Sequence, residues 1–121
     1  MKKLMTRHFS KWIAKQDISE TELTKALDEV ISGNYEASLG GSIFKKRVRF
    51  ENTGKSGSGR TIICYKKGNN AIYIHGFAKN EKDNLSKNEL IAFKELAKII
   101  FNMTDEQITS AIYAGKFMEI E

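Results

Sequence analysis

After the paired glycines Gly40 and Gly41 the hydrophobic period changes from helical spacing to two, and after Ser86 it changes back. A chain that switches period in this way is confined to contiguous strands flanked by helices, an α+β arrangement. On the N-terminal side, Phe9, Trp12 and Ile13 predict a short helix ending near Gln16. Ser19 with Glu22 has the pattern of a capping box. Leu23, Ala26, Leu27, Val30 and Ile31 then follow at i, i+3, i+4, i+7 and i+8 until Gly33 stops the helix.

In the middle segment, Phe44, Val48 and Phe50 alternate with Lys45, Arg47 and Arg49, with Lys46 the exception on the apolar side. The glycine-rich GKSGSGR of residues 54–60 ends this strand, and TIICYKK predicts a second. KGNN at 67–70 has the composition of a hairpin turn, and AIYIHGF returns as a third strand. Ser86 with Glu89 opens a helix that turns Leu90, Phe93, Leu96, Ala97 and Ile100 inward. Thr104 with Gln107 opens another, and FMEIE adds an edge strand. The expected fold is one α+β domain over residues 1–121: N-terminal helices, an antiparallel β-meander, and C-terminal helices packed on one sheet face. The other sheet face is expected to present the cations.

With no proline and no Ser/Gly/Pro-rich linker, nothing in the chain marks a second domain. Cys64 is the only cysteine, which excludes an internal disulfide, and an apolar strand around it marks it as core. His8 and His75 stand far apart and no zinc spacing occurs, so no metal and no cofactor is expected. Apolar runs are too short for a membrane span or a signal-peptide core, which leads us to expect a soluble, cytoplasmic protein with no membrane partner.

Charge is distributed unevenly. Residues 1–44 carry six basic and six acidic groups, residues 45–82 carry ten against two, and residues 83–121 carry four against seven. In the cationic middle, a period of two places Lys45, Arg47 and Arg49 on one face about 7 Å apart, near the step between phosphates of an extended single strand. The following loop adds Lys55 and Arg60 with exposed backbone N–H groups, although its order of Lys and Gly is not that of a P-loop. Tyr65, Tyr73 and Phe77 stand in the adjoining strands, where rings serve either bases or core. By alternation His75 shares a face with Tyr73 and Phe77, opposite Ile72 and Ile74, and lines the same surface; His8 reads as structural or surface. Cations for phosphate and rings for bases are the ingredients of an RNA-binding surface, with Lys46, Arg49, Lys55, Tyr73 and His75 as its contact residues.

The run GKSGSGRTIICYKKGNNAIYIHGFAKNEKDNLS, preceded by KKRVRF and by GGS, resembles the RelE-like toxins of bacterial toxin–antitoxin systems, and within them the HigB-type branch. The resemblance implies a RelE-like fold and a small endoribonuclease that enters the ribosomal A site and cuts translated mRNA. It also implies a cognate helix-turn-helix antitoxin as partner. Matched position by position, it gives catalytic roles to Lys45 and Arg47 on the strand, to Arg60 after the loop, and to Lys79 with Asn80 in the KNE motif. Arg60 suits the scissile phosphate because its planar fork donates parallel hydrogen bonds. Lys45 or Lys79 serves as acid or base, since a lysine crowded by cations yields its proton more readily. The pattern departs from better-studied relatives at Asn80, where arginine is common, at Ser86, where tyrosine is common, and at Ser58 within the glycine loop. The missing arginine and tyrosine keep a second reading open, a non-catalytic nucleic-acid-binding or corepressor module of the toxin fold; a third, gyrase inhibition as in the sister ParE-type branch, has the cationic strand against it.

Overall fold

The three strands that the hydrophobic pattern marks out form the centre of a larger sheet. The structure, a computed structural model, describes residues 1–50, 58–78 and 84–120. Its elements in chain order are β1 (Lys3–Thr6), α1 (Arg7–Ile13), α2 (Glu20–Ile31), β2 (Ala37–Gly40), β3 (Ile43–Arg49), β4 (Ser58–Tyr65), β5 (Ala71–Ala78), α3 (Lys87–Phe101), α4 (Asp105–Tyr113) and β6 (Phe117–Glu119). The sheet is six-stranded in the order β2-β3-β4-β5-β1-β6. β3, β4 and β5 are the antiparallel meander, extended by two short strands that the pattern does not announce. β1 pairs parallel with β5 through Lys3 and Ala71, so the sheet is mixed rather than purely antiparallel. β2 pairs with β3 across the two-residue turn Gly41-Ser42, whose residues have φ of 64° and 61°, the positive values a type I′ turn needs. The expected edge strand is present as β6, antiparallel to β1.

Helix starts follow the capping residues. Ser86 with Glu89 and Thr104 with Gln107 close both halves of their boxes, while Ser19 accepts from the Glu22 N–H at 3.2 Å. Each helix face then chooses a side of the sheet. α3 and α4 bury Ala97, Ile100, Ile108 and Ala111 against Ile43, Ile62, Cys64, Ile72, Ile74 and Phe77. Burial within that layer pushes the Cys64 thiol up to about 12, as expected of an inert core cysteine. α1 and α2 bury Phe9, Leu23, Leu27 and Val30 against Ile63, Ala71 and Tyr73 on the opposite side. The C-terminal helices thus occupy one face as expected, but the other face is not an open cationic surface, because the N-terminal helices cover it.

One irregularity reassigns two residues. Ile62 pairs with His75 whereas Ile63 pairs with Tyr73, so Ile74 is an extra residue in β5 and the alternation slips there. His75 and Phe77 consequently lie on the α3 side with Ile72 and Ile74, and Tyr73 lies alone of the three on the α2 side. Strict alternation puts His75 with Tyr73, and the bulge overrides it. Tyr73 is completely buried, its ring stacked on Phe9 at a centroid distance of 4.6 Å, and its hydroxyl donates to the Leu23 carbonyl at 2.7 Å. Burial, and then the carboxylates of Asp28, Glu22 and Glu29, raise the pKa of that phenol. It is a core residue, not a platform for a base. Tyr73→Phe is expected to lower stability by about 1 kcal/mol, the cost of a lost buried hydrogen bond, read as a shift in the urea midpoint at constant slope.

Candidate nucleic-acid interface

The alternation of β3 sends Lys45, Arg47 and Arg49 to the side of Ile43, and sends Lys46 with Phe44 and Val48 to the side of α2. Register then sets Arg47 directly opposite Arg60, and Arg60 opposite Phe77. Two like charges facing each other across a ladder destabilise a sheet. The opposing carboxylate comes from Glu36, just before β2, which reaches this position because its own N–H donates to the Lys45 carbonyl at 2.9 Å. The Arg60 Nε lies 2.8 Å from Glu36 Oε1 and 3.1 Å from Oε2. Lys45 Nζ stands 3.9 Å from the same carboxylate and donates to Asn84 Oδ1 at 2.8 Å.

Glu36 occupies only the inner edge of the Arg60 guanidinium. Arg60 as a whole is 8% exposed, and its Nη1 is buried with no hydrogen-bond partner among the described residues. A buried N–H left unpaired costs roughly 1–3 kcal/mol, more for a charged group, and an anion beside it removes that cost. An opening of about 330 Å³ is lined by Arg60 together with Asn34, Tyr35, Glu36, Lys46 and Arg47. Arg47 and Arg49 are exposed on the same strand.

The structure therefore brings together Lys45, Arg47 and Arg60, from two of the three stretches proposed to meet. Lys46 borders the same opening, but its Nζ turns under α2 to the Asn34 carbonyl at 3.1 Å and to Glu29 at 3.6 Å. Tyr73 is withdrawn into the core, for the reason given above. His75 stays on the Arg60 side by way of the bulge, half-buried against Phe93 at a ring distance of 4.8 Å. Lys55, Lys79 and Asn80 lie outside the described residues. Sequence reasoning passed over Glu36 and Asn84, which hold the cations, and His8, whose Nε2 lies 2.9 Å from His75 Nδ1. A row of like charges in a folded strand calls for a counter-charge nearby, but no spacing rule points across a hairpin to Glu36. Glu36→Gln leaves the facing arginines uncompensated. Because Glu36 is about one-third exposed, the expected loss is about 1–2 kcal/mol, between the values for exposed and buried pairs, measured by urea denaturation.

The whole of this framework, residues 1–120, matches the family model described as the RelE toxin of the RelE / RelB toxin-antitoxin system. The chain belongs to the RelE toxin family. Comparison with curated proteins gives no match. As a RelE-family toxin the protein is the toxin half of a toxin–antitoxin pair, with an antitoxin as its partner. Among the described residues no helix is long and apolar enough to cross a membrane.

Proposed function

We propose that this RelE-family protein is a ribosome-dependent mRNA endonuclease, a cytoplasmic inhibitor of translation held inactive by a cognate helix-turn-helix antitoxin. The observation that carries the reading is the Nη1 of Arg60, buried and unpartnered among the described residues, with Arg47 opposite it and both side chains lining one opening. A stable fold gains nothing from that arrangement, and an RNA phosphate completes it. In the proposed reaction the 2′-hydroxyl of the RNA attacks the adjacent phosphorus, the bond to the 5′-oxygen breaks, and a 2′,3′-cyclic phosphate and a 5′-hydroxyl result. The protein must take the 2′ proton, stabilise the extra negative charge on phosphorus, and return a proton to the 5′-oxygen. Arg60 and Arg47 stabilise that charge and Lys45 neutralises a neighbouring phosphate. Lys79 and Asn80 keep the roles that the KNE motif gives them, and Lys45 or Lys79 transfers the protons.

The test is to add the purified protein to translating ribosomes and map new mRNA ends. The expected result is cleavage within codons occupying the A site, leaving 5′-hydroxyl ends, with naked mRNA cut far more slowly. Intact mRNA overturns the reading. One observation favours a second reading, a non-catalytic binding or corepressor module: the existing ion pair of Arg60 with Glu36. Intact mRNA together with tight binding of operator DNA by the toxin–antitoxin complex supports that alternative. Altered DNA supercoiling with intact mRNA supports gyrase inhibition instead.

A further inference from the structure

His8 and His75 are 67 positions apart in the chain, yet their facing nitrogens approach to 2.9 Å and their rings are within 7° of coplanar. The nitrogen separation plus two ring radii accounts for the 5.2 Å between centroids, so the imidazoles meet edge to edge and share one proton rather than stack. Glu89, a carboxylate that also lines the cleft, has its Oε2 3.9 Å from His75 Nε2, while His8 is exposed. The pair forms one wall of a cleft of about 520 Å³ between α1, β5 and α3, floored by Ile74, Phe93 and Leu96. That volume falls within the roughly 300–1,000 Å³ of small-molecule sites. Two exposed cations, Arg7 and Lys116, stand at its rim, side by side because the Arg7 N–H donates to the Lys116 carbonyl at 2.9 Å. An apolar floor, a flat ring fixed at the mouth and paired cations at the rim are complementary to an anion that carries a flat base.

We propose that this cleft takes one nucleotide of single-stranded RNA next to the cleaved bond, its base against His8 and its phosphate between Arg7 and Lys116. The placement rests on the endonuclease reading. β5 links the two sites: Phe77 faces Arg60, His75 lies two residues along the same strand, about 7 Å from Phe77, and the His8 ring stands beyond it at a centroid distance of 5.2 Å. The hydrogen bond to His75 fixes the His8 ring before the base arrives, which lowers the ordering cost of stacking. The cleft thereby selects for a base at one defined position relative to the cut.

The test uses short oligonucleotides that are 2′-deoxy at every position and so cannot be cleaved, one with all its bases and a set each lacking one base, read by fluorescence anisotropy. His8→Ala is expected to weaken the complete oligonucleotide about tenfold, within the range of stacking on one ring, and to leave one member of the abasic set unaffected. His8→Phe, which keeps a flat ring without the shared proton, retains the preference for a base at that position. Arg7→Ala with Lys116→Ala weakens every oligonucleotide and flattens the salt dependence by about 0.7 per lost phosphate contact. Equal losses across the whole set for His8→Ala, or none, overturn the proposal. If ribosomes yield no cleaved mRNA but the base-dependent loss is found, the endonuclease reading falls and the subsite stands. If cleavage is mapped and the base-dependent loss is absent, only the subsite falls.

Discussion

Replacing Arg60 with alanine is expected to lower mRNA cleavage on the ribosome by about 100- to 1,000-fold, the usual cost of removing one preorganised donor to a developing charge. Expression of the variant should then no longer arrest growth. Arg60 sits between the carboxylate that holds its Nε and the opening toward which Arg47 projects, so its orientation is set before RNA arrives. Lysine supplies the charge but not the planar fork, and Arg60→Lys should recover only a small part of the rate. Stability should change little, because the deletion also relieves the repulsion with Arg47 and leaves Glu36 about one-third exposed to water. Arg60→Met, which keeps the aliphatic volume, controls for any collapse of the site. A folded alanine variant that still binds its antitoxin and still cuts mRNA at the original rate removes Arg60 from the mechanism, and with it the principal support for the endonuclease reading.

How far the sequence discloses this arrangement depends on the range of the interaction involved. Helix starts are local, and Ser86 and Thr104 announce theirs through residues three positions on. The central meander is nearly as local, since KGNN and the apolar runs around it specify a hairpin. β1 and β2 escape notice because four residues are too few to show a period. β1 exists only because β5 offers it a parallel edge, and β6 a second partner. Counting in twos assigns Tyr73 and His75 to one face, a count that fails at one inserted residue, Ile74. The cations of β3 sort correctly by alternation, so Lys45 and Arg47 could be placed together, and Lys46 apart, from the pattern alone. Glu36 and His8 could not be placed, because each reaches the site through a tertiary contact that no local rule encodes.

The largest loss of stability is expected at Gly76, through packing rather than charge. A Cβ built there would sit inside the van der Waals envelope of Trp12 Cζ3 and Cε3, and one at Gly59 would lie 2.6 Å from Phe50 Cζ and 3.2 Å from Trp12 Cη2. Neither glycine has a positive φ, so what demands glycine is the close approach of the indole to the sheet rather than backbone strain. Trp12 has little freedom to retreat, since Phe9 and Phe50 flank it at ring distances of 5.7 and 6.2 Å. Gly76→Ala should therefore cost about 3 kcal/mol, the upper range for overpacking, which moves the urea midpoint down by roughly 2 M at the slope typical of a chain this size. Shrinking the indole tests the cause: combined with Trp12→Leu, the Gly76→Ala cost should fall by at least about 1 kcal/mol, as coupling between touching residues requires. Strictly additive effects would mean that the clash is relieved elsewhere. The contact bears on the site as well, because Trp12 seats α1 on β5, and α1 carries His8 to His75.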